Sequence, residues 1–385
     1  MPVVLGSDVL FERELLKGRT IGLVCHPASI NVAFEHVLEV AERHHVRVGA
    51  LFGPQHGFRA DVQENMIETG HARDPARHIP VYSLYSETRE PTREMLQGLD
   101  ALVIDLQDVG TRIYTYIYTM ANCLRAAAKH GLPVVVCDRP NPIGSAVEGP
   151  MLDPGYESFV GQFNIPMRHG MTMGELAKLF NEHFGIGAKL EVVAMRGWDR
   201  TSYFDDTGLP WVLPSPNLPT LDSAVVYPGT VLFEGTNVSE GRGTTKPFEL
   251  AGAPWIDPES FAKMLNARRL PGVWFRPALF EPTFHKHVGT SCGGCQIHVT
   301  DRQAFRAVET GVELTSAFWR CGPEAFTWRD PPYEYEHTLP PIDILYGSPR
   351  LRQALTGAGD VSALPASWTD EVDAFLPIRQ SYLLY

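Results

Sequence analysis

Short apolar runs alternate with helix-like segments along the first 140 residues, and this alternation constrains the fold most. The clearest run, residues 101–106 with the sequence ALVIDL, is apolar on both faces. Strands of that kind are typical of parallel sheets covered by helices on both sides. The sequence therefore predicts a Rossmann-like, doubly wound parallel α/β sheet joined to a second, smaller α/β domain. Its further strands are expected at residues 20–25, 46–52, 81–85 and 133–137.

Capping and stop signals predict the helices. Thr172 is followed three residues later by Glu175, which is a capping box and predicts a helix over residues 172–184. Gly131 follows the helical pattern of residues 114–130 and is a typical helix end. Other patterns predict helices over residues 33–44, 91–99 and 301–318.

The pattern loosens in the middle of the chain. Residues 197–255 are rich in Gly, Pro and Thr and predict a long loop, which is uncommon unless it is functional. A helix from residue 258 and strands at 273–279 and 296–299 follow. We therefore expect residues 1–250 to form the Rossmann-like domain with most of the site loops, and residues 251–385 to form a smaller α+β domain that closes the cleft.

Charge and composition restrict the partners. Lys and Arg number 33 against 45 Asp and Glu, and the net charge of −12 argues against a nucleic acid partner. No stretch approaches the roughly 18 apolar residues of a membrane span, and the first residues lack the pattern of a secretory signal. Six sparse cysteines are typical of reduced thiols. These features predict a cytoplasmic protein without a membrane span.

Polar side chains follow four of the predicted strands. The carboxyl ends of parallel strands meet at one edge of a sheet, where ligands bind. The sequence therefore predicts a site at this edge, built from His26, Gln55–Arg59 (QHGFR), Asp105–Asp108 (DLQD) and Asp138–Pro142 (DRPNP).

Several ordered motifs are similar to those of one family. They include GPQHGFR at 53–59, DLQDVGTRIYT at 105–115, DRPNP at 138–142, VEG at 147–149, SPN at 215–217, EGT at 234–236, SEGRGTT at 239–245 and YEYE at 333–336. Over roughly residues 18–350 the chain resembles the exo-β-N-acetylmuramidases (glycoside hydrolase family 171). The resemblance implies an active site in the cleft between two domains, and we expect no metal or cofactor there. It also implies release of N-acetylmuramic acid from the non-reducing end of peptidoglycan fragments.

The motif residues suit this reaction. Glycosidic cleavage needs a carboxylic acid, and a 2-acetamido group of the substrate can replace the second carboxylate. Glu148 and Glu240, in glycine-flanked loops, and Asp105 are the predicted catalytic residues. Arginines suit the lactyl carboxylate of muramic acid. The predicted substrate-binding residues are Gln55, His56, Arg59, Gln107, Arg112, Tyr114, Asp138, Arg139, Asn141, Arg168, Asn217 and Arg242.

One departure from the family pattern keeps alternatives open. Many relatives have glutamate where this chain has Gln55, and an amide has no acidic proton to donate. A neighbour such as Glu64 or Glu68 would then act as the acid, or the protein would bind muropeptides or amino sugars without turnover. A third hypothesis is a zinc hydrolase with the ligands His285, His287, Cys292 and Cys295. Tyr and Glu alternate over residues 333–336, a pattern that predicts an edge strand.

Overall fold

A seven-stranded sheet forms the centre of the molecule. The computed structural model describes residues 2–357 and 361–385. The strands are β1 (Thr20–Cys25), β2 (Arg47–Gly53), β3 (Ala72–Arg73), β4 (Pro80–Ser83), β5 (Ala101–Asp105), β6 (Val134–Cys137) and β7 (Leu190–Val193). Their order is β3-β4-β2-β1-β5-β6-β7, and every pair is parallel except β3 with β4. This arrangement confirms the predicted doubly wound sheet.

The strand order reverses between β1 and β5. From β1 the chain moves outward to β2 and β4, then returns to β5 on the other side of β1 and continues to β6 and β7. Cys25 at the end of β1 pairs with Asp105 at the end of β5. Ligands of doubly wound sheets bind beside such a reversal, at the carboxyl ends of the strands.

Four helices accompany this sheet: α1 (Gly6–Glu12), α2 (Val37–Arg43), α3 (Tyr116–His130) and α4 (Met173–Lys178), which continues as a π turn over Leu179–His183. The predicted capping box is confirmed, since the Thr172 and Glu175 side chains each accept a backbone N–H of the other residue. Helix α3 ends at Gly131, as predicted, and this glycine adopts the left-handed conformation. The helix predicted over residues 91–99 is wrong, because this segment forms turns.

The second sheet is antiparallel. Its strands β8 (Leu250–Ala253), β9 (Val273–Phe280) and β10 (Cys292–Val299) lie in the order β8-β10-β9. Helix α5 (Leu221–Thr230) packs against α7 (Ala307–Cys321), and α6 (Pro258–Ala267) packs against β9. The remaining helices are α8 (Pro341–Tyr346), α9 (Arg350–Thr356), α10 (Leu364–Ser367) and α11 (Thr369–Gln380).

Three other local predictions are wrong. Helix α5 lies within the segment predicted as a loop, with Pro228 in its last turn. Helix α7 begins at Ala307 rather than at residue 301, because Asp301 Oδ1 accepts the backbone N–H groups of Gln303 and Ala304 and forms a turn there. Residues 333–336 form a tight turn rather than an edge strand. Within residues 2–357 and 361–385, no helix is long and apolar enough to cross a bilayer.

Candidate active site

A polar pocket lies beyond the carboxyl ends of β2 and β5. The loop after β2, the segments that precede α3 and α5, the segment after α5 and the turn at residues 333–336 form its walls. The pocket is open to solvent, and its volume of about 440 Å³ includes part of that opening. Its polar lining comprises Gln55, His56, Asn65, Tyr114, Thr115, Ser215, Asn217, Tyr227, Glu234, Arg242, Tyr333 and Glu334.

Glu334 is one of two carboxylates in this lining, and uncharged groups hold it. Gln55 Nε2 donates to its Oε1 at 3.0 Å, and the Tyr85 hydroxyl donates to its Oε2 at 2.7 Å. Thr115 Oγ1 donates to Gln55 Oε1 at 2.7 Å, which fixes the orientation of the amide. The side chain is buried, and this burial raises the pKa of Glu334 to about 7.

Glu234, the second carboxylate, has a charged partner. Arg242 Nη2 lies 2.8 Å from its Oε1, while the Tyr333 hydroxyl and Asn65 Nδ2 donate to its Oε2 at 2.6 and 2.8 Å. Glu234 and Arg242 thus form a buried ion pair. The pocket therefore holds two carboxyl groups in unlike environments.

Glu240 lies behind Arg242, outside the pocket lining. It accepts from Arg242 Nη1 at 2.7 Å and from Lys286 Nζ at 2.8 Å. Burial alone would raise the pKa of Glu240, but Lys286, the His285 hydrogen bond and Arg242 outweigh it and hold the pKa well below its ordinary value. Glu240 therefore anchors the arginine that faces the pocket.

His56 lines the pocket as a neutral imidazole. Burial lowers its pKa to about 4, and Nδ1 lies 2.7 Å from the Val62 carbonyl oxygen. Because a carbonyl only accepts, the proton is on Nδ1 and Nε2 is left as an acceptor. The backbone of His56 is left-handed, with φ of 70°, which is uncommon for a residue with a side chain.

Residues at the other strand ends bind parts of the protein itself. Asp105 and Arg139 form a buried ion pair with N–O distances of 2.7 and 3.0 Å. Asp138 accepts the Gly174 N–H at 2.7 Å at the start of α4, and burial raises its pKa to about 7. The amides of Gln107 and Asn141 donate to backbone carbonyls.

The remaining predicted residues lie outside the pocket lining. Arg112 donates to four backbone carbonyls, and Arg168 donates to the Ile143 carbonyl. Glu148 accepts the Glu309 N–H at 2.9 Å. Arg59 is exposed on the loop that follows His56.

The pocket thus brings together part of the predicted set. Of those residues, the ones that line it are Gln55, His56, Tyr114, Asn217 and Arg242. Sequence reasoning did not select Glu234 and Glu334, although both lie within motifs that carry the family resemblance. Motif membership was the available signal, but it did not distinguish these two carboxylates from the others.

The four proposed zinc ligands do not converge. His287 Nε2 lies 2.6 Å from the Asn237 carbonyl oxygen, and His285 contacts Glu240. Cys292 and Cys295 lie on β10. No group of three or more His, Cys, Asp or Glu side chains in the described part of the chain is arranged to hold a metal ion. The structure therefore does not support the zinc hypothesis.

Comparisons with known proteins decide the family. Profiles described as the N-terminal and C-terminal parts of exo-β-N-acetylmuramidase NamZ match residues 21–222 and 225–385. The chain belongs to the NamZ family. The peptidoglycan β-N-acetylmuramidase NamZ of Bacillus subtilis (strain 168) is 48% identical over 99% of this chain and 91% of its own length. The family resemblance seen in the sequence is thereby confirmed.

Solved structures share the NamZ fold. One DUF1343 family protein of Bacteroides fragilis NCTC 9343 superposes with a TM-score of 0.90 at 34% identity, over 100% of this chain and 99% of its own. A second from the same organism gives 0.78 at 26% identity with the same coverage. The two NamZ profiles meet between residues 222 and 225, earlier than the boundary that we predict at 250.

Proposed function

We propose that this protein is an exo-acting β-N-acetylmuramidase that releases N-acetylmuramic acid from the non-reducing end of peptidoglycan fragments. The observation that carries the proposal is the presence of two carboxyl groups in one pocket, Glu234 paired with a cation and Glu334 with uncharged donors. Carboxyl groups in contrasting environments are what glycosidases use. Membership of the NamZ family supports the same function.

The pocket residues suit the negative charge of the lactyl carboxylate and the positive charge that develops on the sugar during the reaction. Positive charge develops on the sugar ring in the transition state of glycosidic cleavage, and the Glu234 carboxylate is placed to stabilise it. Arg242 Nε is buried and has no hydrogen-bond partner among the described residues. We assign this N–H group to the lactyl carboxylate, with Gln55, His56, Tyr114 and Asn217 as further substrate contacts.

The test compares two chromogenic substrates, a β-N-acetylmuramide and the matching β-N-acetylglucosaminide, which differ only in the lactyl ether. We expect the pure protein to release the chromophore from the first and much less from the second. Thermal stabilisation by the muramide without release would instead identify a binding protein. Equal turnover of the two would refute the lactyl contact of Arg242.

We further propose that the enzyme acts in the cytoplasm on fragments recovered during cell wall recycling. The described cysteines Cys25, Cys123, Cys137, Cys292, Cys295 and Cys321 are all free thiols, as is usual in a reducing compartment. The acidic surface suits a small carbohydrate partner rather than nucleic acid. Fractionation of the source cells tests the location, and recovery only outside the cytoplasm would contradict it.

A further inference from the structure

Glu334 lies at the tip of a strained turn. Tyr333 and Glu336 exchange backbone hydrogen bonds of 2.8 and 2.9 Å, so that Glu334 and Tyr335 are the two central residues of a tight turn. Both have positive φ, 44° and 67°. Turns of this type usually contain Asn and Gly, because side chains disfavour that backbone region. Strained residues of this kind cluster at functional sites, where neighbouring contacts hold them in place.

The contacts that hold this carboxyl group come from distant segments. Gln55 follows β2, and Tyr85 follows β4. The Tyr85 ring packs against Phe159 and Tyr335, with centroid distances of 5.8 and 5.5 Å. Each carboxyl oxygen thus has its own donor on a fixed support. The orientation of the group toward the pocket is therefore set by the fold rather than by the turn alone.

Its electrostatic surroundings favour the protonated acid. The titratable and charged groups around it are Tyr85, Tyr335, Glu234 and Arg242. Burial raises the pKa of Glu334 most strongly and the nearby Glu234 raises it further, whereas the two hydrogen bonds and the charge of Arg242 lower it. With a pKa of about 7, the group is protonated in mildly acidic solution and about half protonated at neutral pH, so it can donate a proton there.

We propose that Glu334 is the proton donor of the glycosidase reaction in this protein, with Gln55 and Tyr85 as positioning residues. This inference rests on the function proposed above. It also accounts for the amide at position 55, where many relatives have glutamate. Gln55 has no acidic proton to donate, but it positions Glu334, which has one.

The step balances as an ordinary hydrolysis. The Glu334 proton moves to the glycosidic oxygen as the bond between that oxygen and the anomeric carbon breaks, and the electron pair stays on the departing alcohol. Water then supplies the oxygen at the anomeric carbon, and its proton returns to the Glu334 carboxylate. One glycoside and one water give one alcohol and one reducing sugar, whose anomeric carbon is a hemiacetal.

The first experiment varies the leaving group. Nitrophenolate leaves without protonation, whereas the N-acetylglucosamine of a muramyl disaccharide must be protonated. We expect Glu334→Gln to lower kcat on the disaccharide by at least about 100-fold and on the nitrophenyl muramide by less than about tenfold. Glu259→Gln, an exposed substitution on α6, is the matched control and should leave both rates unchanged.

The outcomes separate this proposal from the proposed function. If the wild-type protein cleaves neither substrate, the glycosidase function itself fails. If it cleaves both and Glu334→Gln lowers the two rates equally, Glu334 is not the acid. The leaving-group pattern in Glu64→Gln or Glu68→Gln instead would assign the proton to that residue and overturn the proposal.

A second variant covers the case in which Glu334→Gln does not fold. Tyr85→Phe removes a donor that stabilises the ionised carboxylate, so the pKa of Glu334 should rise. In the wild-type protein, kcat/KM on the disaccharide should fall above about pH 7, as the acid loses its proton. In Tyr85→Phe this decline should move to higher pH. A decline at the wild-type pH would overturn the proposal.

Discussion

The chemistry available to each acidic residue depends on its partners rather than on its type. The oxygens of Asp105 are bound to Arg139, and those of Glu240 to Arg242 and Lys286. Only uncharged groups donate to Glu334 in the described structure, so burial dominates and its proton stays within reach of neutral pH. Glu240 and Glu334 are the same type of residue, so no property of the isolated side chain distinguishes these two cases.

Replacement of Gln55 by glutamate tests this view of the pocket. Gln55→Glu would place a second carboxyl group where an amide now lies 3.0 Å from Glu334 Oε1. Two carboxyl groups so close cannot both ionise readily, so the pair should retain one proton to higher pH. We expect the alkaline limit of kcat/KM to rise by at least about one pH unit. Gln97→Glu, an exposed substitution in the segment before β5, provides the control and should leave this limit in place.

At the scale of elements, local signals predict strands well and site loops poorly. Strand β5 is buried along its whole length, so its apolar sequence identified it directly. Helix α5 contains Pro228 and Gly229, which sequence reasoning takes as loop signals, yet both are accommodated in its last turn. The contact of Gln55 with Glu334 joins residues 279 positions apart, and no local pattern encodes such a distance.

Close packing of α5 against α7 explains why α5 has a glycine at position 229. Helices α5 and α7 cross there, and a Cβ atom on Gly229 would lie 2.0 Å from the Ala307 carbonyl oxygen. Because the obstacle is backbone, Gly229→Ala should destabilise the protein by about 3 kcal/mol or more. It should also lower activity, since Glu234 follows α5 directly.

Calorimetry and the muramidase assay measure these two effects. Gly70→Ala is the control, because a Cβ atom there meets no atom within 4 Å. A Gly229→Ala protein with wild-type Tm would show that the two helices can separate at little cost, contrary to our expectation.

At the scale of the whole molecule, the pocket needs both halves of the chain. Gln55 and Tyr114 come from the loops of the large sheet, while Glu234, Arg242 and Glu334 come from the second half. One continuous hydrophobic core extends from Val24 in β1 to Phe375 in α11. The sequence predicted a site at this edge of the sheet, where the pocket lies, but the second half supplies both carboxylates of the pocket and determines which side chains face it.

Arg112 connects these halves, although its motif predicts a substrate contact. Its Nη1 donates to the Pro150 and Ile165 carbonyls at 2.7 and 3.1 Å, and its Nη2 donates to those of Leu345 and Tyr346 at 3.2 and 3.0 Å. The last two carbonyls end helix α8, whose final turn has no intrahelical donors for them. The guanidinium is fully buried, so its hydrogen bonds are not replaced by water.

Arg112→Lys should therefore affect stability rather than substrate binding. An ammonium group cannot reproduce the planar fork, and buried carbonyls would lose their donors at a cost of about 1–3 kcal/mol each. We expect a Tm lower by several degrees and an unchanged KM for the muramide when the assay is run well below that Tm. Arg59→Lys, an exposed change on the loop after β2, should leave the Tm unaltered. A raised KM at unchanged Tm in Arg112→Lys would contradict this expectation. It would show that the substitution weakens substrate binding rather than the contact between the two halves, and it would assign Arg112 the substrate-binding role that its motif predicts.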